Sequence, residues 1–263
     1  MAKKDISMIT LVFFLTRCFF NLYTFTNIFS YLFISLSIFI IILLLKKIKL
    51  NIFNYIFLKW IYFFCLLFIF VNILINATNF ININYFRYEN YFSTTISLLV
   101  ISYIIGKDEI KTISSISEVF FFIFIIITIM ISIGLISLIR VNNYQGFIKI
   151  NNFSLNFLPF MIIFVLYYIR KNNIITGYLL GTSSAFLDIM LLVGSLGIKL
   201  PLTYSYPGIS ILKTITFLHF INHLDKLFSF IYLFEYNITL ALIFNIMKKI
   251  LKKESLTLST SSN

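Results

Sequence analysis

The chain has 263 residues, of which 60% are hydrophobic and 11% charged, with a mean hydropathy of +0.99. Soluble globular domains hold roughly 45–50% apolar residues, so this composition excludes that class and indicates a polytopic membrane protein. The net charge of +12 comes from lysines at the ends of apolar runs rather than on one basic face, which argues against a nucleic-acid partner and reads as a topology signal.

In chain order, Lys3, Lys4 and Asp5 precede an apolar run with no small-residue cleavage pattern, and a second apolar run follows at once, so the first segment is read as retained. Apolar segments fall near 6–24, 28–45, 56–75, 91–105, 119–139, 157–169, 178–196 and 227–247. Crossing ~30 Å of hydrocarbon takes roughly 20 helical residues, so the long ones span outright and the pair near 91 and 157 are short enough to be tilted, re-entrant or extended at their edges. Continuous apolar runs, without strand alternation, make helices the spanning element. The expectation is an all-α polytopic helix bundle of about eight transmembrane helices. A single transmembrane domain covers 1–253, with a partial helix near 208–222 and outer loops around 76–90 and 140–156. A polar, disordered tail covers 254–263. Cys18 and Cys65 lie inside apolar runs and read as packing residues, not as a disulfide or metal set.

With the N-terminus inside, Arg87, Arg140, Lys149, Lys199, Lys213 and Lys226 lie outside, Arg17 lies within a span, and the other 14 of the 21 basic residues lie inside. That bias predicts eight spans with both termini cytoplasmic.

Polar groups inside spans point to sites, because a charge at mid-bilayer costs about 2.5–3.5 kcal/mol on the insertion scale. Ser7, Thr10, Arg17, Asn21 and Thr24 share one face of the first helix. Two readings stand: a cavity wall on which Arg17 holds an anionic group such as a carboxylate, or a polar seam bonded to neighbouring helices. Gly177, Gly181 and Ala185 form a small-xxx-small series that lets helix backbones approach, and Asp188 on the edge of that face points into the bundle. Glu235, with Tyr232 and Thr239 one turn away, makes a second inward polar spot. Either carboxylate can neutralise Arg17, bind a cation or relay a proton. His219 and His223 share a helical face at the outer edge, a pair without a third ligand and therefore read as an interfacial surface. No H-E-x-x-H, G-x-S-x-G or Walker A motif occurs, so no enzyme, metal site or cofactor is expected.

Several stretches occur in the order of a known family. IKTISSISEVFF (110–121) is similar to its amphipathic lead-in to the fifth span, with Glu118 at the final acidic position. LGIKLPLTYSYP resembles its L-G-V…Y-P segment, with Leu196, Gly197, Tyr206 and Pro207 in place. FINHLDKLFSFIYL resembles its eighth-span start, with Asp225 at an acidic position and Tyr232 near a family Trp, and Ile6-Ser7 fits its I-S opening. The family comprises the permease-like B subunits of spore nutrient-germinant receptors, endospore germination permeases of the amino acid/polyamine/organocation superfamily.

The resemblance implies a LeuT-like transporter fold, here C-terminally short with eight spans in place of ten. It implies a membrane subunit that binds a small nutrient such as an amino acid and signals germination with receptor A and C subunits from the spore inner membrane. Ligand contacts would come from Arg17, Asn21, Tyr232 and Glu235, with Glu118 and Asp188 as ion-linked or structural polar groups. Phe19, Phe20 and Asn21 stand where the family has a helix-loosening glycine, so the first helix is predicted unbroken. A secondary amino-acid transporter and a membrane protein of polysaccharide assembly are the alternatives.

Overall fold

A computed structural model describes residues 3–21, 27–47, 56–86, 91–136, 138–148, 157–169, 173–197 and 224–251. Among these the chain is helical with no strand, because hydrocarbon offers no partner for backbone groups and only intra-segment bonds satisfy them. The main helices are α1 (Lys3–Asn21), α2 (Ile28–Lys47), α3 (Ile56–Ile81), α4 (Tyr91–Gly106), α5 (Ile110–Ile136), α6 (Ile162–Ile169), α7 (Ile174–Leu196) and α8 (Leu224–Leu251). They coincide with the eight apolar segments. Five of them, α2, α3, α5, α7 and α8, carry windows long and apolar enough to cross a membrane. The apolar stretches at α1, α4 and α6 are shorter, Ile6–Asn21, Tyr91–Gly106 and Leu158–Ile169, the last including a 3-10 turn, Leu158–Met161, that leads into α6. This is an all-α polytopic membrane bundle.

Two boundaries correct the sequence reading. The stretch from 76 is not loop: α3 continues to Ile81 and a π turn follows over Asn82–Phe86. The asparagines make this possible by donating to carbonyls one turn back, Asn76 to Asn72 O at 2.8 Å, Asn82 to Thr78 O at 3.0 Å and Asn84 to Phe80 O at 2.8 Å. The fifth helix begins at Ile110, nine residues before the apolar run at 119, and buries Ser114 and Ser117 against α1. The partial helix expected near 208–222, the YP loop, Thr24, His219, His223 and the tail lie outside the described residues.

Contacts fix the helix directions. Ser7 meets Ser114 (3.4 Å), Thr10 meets Ser117 (3.2 Å), and Phe13 meets Phe124, so α1 and α5 run parallel. On α7, Gly177 lies under Ile9 and Val12 and Gly181 under Phe13 and Thr16, so α7 is parallel to α1 as well. The α8 helix is antiparallel to α5: Asn245 reaches the turn before α5 while Phe230 and Phe234 flank Phe120. Tyr31 donates to Thr182 O (2.5 Å) and Tyr178 to Ser35 O (2.9 Å), an antiparallel clamp between α2 and α7. The most extensive packing is α1 on α7, followed by α8 on α4 and α1 on α5, which leaves α1 enclosed at the centre. Seen from the sequence, α1 has the least apolar surface to offer lipid, which is why it is the helix that ends up inside.

Glycine makes the α1–α7 contact possible. A Cβ on Gly177 would stand 2.7 Å from Ile9 O and from Val12 Cβ, and one on Gly181 would stand 2.7 Å from Thr16 Cβ. The small-xxx-small series therefore faces α1, as its spacing predicts for a close helix pair. At its far end α7 stops at Gly197, whose φ of 72° favours glycine and whose N–H bonds Val193 O at 2.8 Å.

Candidate functional site

With α1, α7 and α8 meeting at close range, the ionisable groups of their inner faces come together. Arg17 is 0% exposed, Glu235 1% and Asp188 8%. Arg17 Nε donates to Glu235 Oε1 at 2.6 Å, and Nη1 donates to Ser184 Oγ at 2.7 Å. Its Nη2 stands 2.7 Å from Asp188 Oδ2. Asn21 Nδ2 donates to Glu235 Oε2 at 3.2 Å, giving Glu235 a donor at each oxygen. The face of Phe124 covers the guanidinium at 4.4 Å, with Phe13 at 5.8 Å, a cation–π arrangement in a desolvated setting.

Each predicted site residue can now be placed. Arg17, Asn21, Glu235 and Asp188 form one cluster. Tyr232 is half-buried beside it, stacked on Phe80 at 5.6 Å and within electrostatic reach of Arg17, Asp188 and Glu235. Thr239 is a backbone anchor one turn on, donating to Glu235 O at 2.7 Å. Glu118 stays apart. It is half-buried on α5 next to Ser117, which aligns with Thr10, whereas Arg17 aligns with Phe124. Six residues of helix, about 9 Å, separate the two levels. Among the described residues Glu118 pairs with no cation, and no three His, Cys, Asp or Glu groups are placed to share a metal.

The first-helix face divides. Ser7 and Thr10 form a polar seam with Ser114 and Ser117 of α5, the bonded-seam reading, while Arg17 and Asn21 form the ion cluster. Between these zones lie Phe13, Phe14, Phe121, Phe124, Phe120 and Phe234, with Phe120 and Phe234 stacked at 3.6 Å. A cavity of about 10 Å³ there is lined only by apolar side chains including Phe14, Phe124 and Phe234, so it offers water no partner. The aromatic layer is a dry barrier between the seam and the cluster.

No family model, curated protein or solved structure matches the chain. The site therefore stands on its own geometry.

Ser184 and Phe124 complete the site and were not singled out as binding groups. Ser184 was legible in principle, since it lies four residues before Asp188 on the same face of α7. Phe124 was not, because one Phe among the 33 in the chain carries no local mark. In this conformation Arg17 is fully enclosed. Glu235, Ser184 and Asp188 occupy its nitrogens, so the cluster is a closed ionic site rather than an open pocket.

Proposed function

We propose that the chain is the permease-like membrane subunit of a nutrient receptor, of the kind its resemblance to spore-germinant receptor B subunits implies. The observation that supports this most is the convergence of Arg17, Asp188 and Glu235 from three helices in a membrane bundle. Intramembrane charges are costly and mark sites of function by default. Helix packing alone does not require them, since buried ion pairs stabilise little relative to apolar residues of like size.

An amino acid carries the same pair of charges as the cluster. Its carboxylate takes the place of Glu235 on Arg17, and the released Glu235 carboxylate takes the ligand ammonium, so each of these charges keeps a partner. The exchange separates α1 from α8, and a ligand with higher affinity for that arrangement shifts the population toward it. Partner A and C subunits would read the shift and signal germination. The reading is non-enzymatic and places the chain in the spore inner membrane with both termini cytoplasmic.

The test is a deletion strain assayed for nutrient-triggered germination and surface glycan together, complemented with wild type and Arg17→Gln. Loss of germination restored by wild type, with a shifted nutrient dose-response for Arg17→Gln, supports the receptor. Normal germination with loss of glycan overturns it in favour of polysaccharide assembly. Uptake of labelled amino acid into proteoliposomes holding this chain alone overturns it in favour of a secondary transporter.

A further inference from the structure

We propose that the Arg17 cluster holds one exchangeable proton, resident on Asp188, so that Arg17 and Glu235 are ions and Asp188 is a neutral acid. The cluster contains one guanidinium and two carboxyl groups, each at least nine-tenths buried. With both acids ionised it carries an uncompensated negative charge away from water, a state that buried groups escape by taking up a proton.

The contacts choose the acid. Glu235 accepts from Arg17 Nε at one oxygen and from Asn21 Nδ2 at the other, the pattern of an ionised carboxylate. Asp188 Oδ2 is buried and has one nitrogen near it, Arg17 Nη2 at 2.7 Å, against the two donors that Glu235 accepts from. Its side chain, at 9% exposure against 0% for Arg17 and 1% for Glu235, is also the one nearest to proton exchange.

Among the described residues no other neighbour supplies the missing positive charge. From α1 the facing charged group is Arg17, with Cys18 beside it as a buried thiol. Facing groups from α8 are Glu235 and Tyr232, while α2 contributes Tyr31, committed as a donor to Thr182 O. From α5 the facing group is Phe124, and the Arg140–Tyr144 segment sits farther along α7, at Met190 and Gly194. The proton would be the coupled ion of the proposed receptor. Its use rests on that reading, but its presence does not, and the following measurement contains no ligand.

The full chain in lipid nanodiscs at neutral pH is examined by infrared spectroscopy on exchange from H₂O to D₂O. A carboxylic-acid C=O band that shifts on deuteration is expected, moved by ¹³C-carboxyl labelling of aspartate, unmoved by labelling of glutamate, and absent in Asp188→Asn. In Glu235→Gln the balancing acid is gone, Asp188 ionises against Arg17, and the band disappears. The proposal is overturned if wild type shows no acid band, if glutamate labelling moves it, or if it persists in Glu235→Gln. It is likewise overturned if sodium at constant ionic strength raises the wild-type melting temperature and no acid band is present, since a cation then fills the role. Asp188→Asn mimics the neutral acid and is expected to melt like wild type. Should it fail to accumulate, the labelled wild-type spectra still decide.

Discussion

Arg17 Nε and Glu235 Oε1 stand 2.6 Å apart although 218 residues separate them in the chain. The contact joins the enclosed first helix to the last, and removing one partner leaves the other charged in a dry setting. Arg17→Met is expected to destabilise the bundle by about 3–5 kcal/mol, the usual cost of orphaning a buried charge. The triple variant Arg17→Met, Asp188→Asn, Glu235→Gln is expected to recover most of that loss, because no charge remains to be compensated. Denaturant unfolding in mixed micelles measures both, and a triple variant no more stable than the single one would count against an ionic cluster.

The α1–α7 seam predicts a different pattern. Gly177→Ala or Gly181→Ala puts a methyl within 2.7 Å of α1 atoms, two of the closest being backbone carbonyls that cannot swing away. Each change is expected to cost about 1–3 kcal/mol through overpacking. Leu180, on the open face of the same helix at 44% exposure, should tolerate alanine within about 0.5 kcal/mol. Equal effects at Gly181 and Leu180 in a thermal melt would mean that α7 does not pack this way.

Phe124 tests the electrostatic environment of Arg17. Phe124→Leu keeps an apolar side chain but removes the ring face 4.4 Å from the guanidinium. It should cost about 0.5–2 kcal/mol more than Phe121→Leu, whose ring meets Phe13 and Phe14 but not Arg17. A difference that vanishes in an Arg17→Met background, read as a double-mutant cycle, assigns it to the cation.

Much of this was readable before any coordinates. Arg17, Asp188 and Glu235 stand out because each interrupts an apolar run, and helical spacing gives the face on which each lies. Gly177 and Gly181 likewise advertise a close helix contact. The pairing itself was not readable. Whether Arg17 meets Asp188, Glu235 or both depends on the relative heights of α1, α7 and α8, which are set by packing across the whole bundle. The asparagines misled in the other direction. In a chain rich in Asn, the cluster at 76–84 reads as loop, yet each amide that returns to a carbonyl one turn back keeps the helix going. Local composition does not reveal which amides do so.

Asn245 is the clearest case of such a missed residue, and it carries the last prediction. It is 2% exposed on α8, and its Nδ2 donates to Gly106 O at 2.9 Å and to Asp108 O. One turn on, Lys248 Nζ meets Lys107 O at 2.8 Å. Both residues hold the turn between α4 and α5, at the place where Gly106 lets α4 close on α8: a Cβ there would stand 2.6 Å from Ala241 O. Asn245→Leu leaves these carbonyls without their buried donor and should cost about 1–3 kcal/mol. Because Lys107 and Lys111 flank the freed turn, limited trypsin digestion in detergent should cut there faster in Asn245→Leu than in wild type. Lys248→Met, which removes only an exposed contact, should change stability by no more than about 0.5 kcal/mol. If Asn245→Leu melts and digests like wild type, the amide is a passive passenger and α8 is held by its apolar contacts alone. If it behaves as expected, the same helix that presents Glu235 to Arg17 is fixed in height by Asn245 ten residues below, and loosening that anchor should weaken the Arg17–Glu235 coupling measured by a double-mutant cycle.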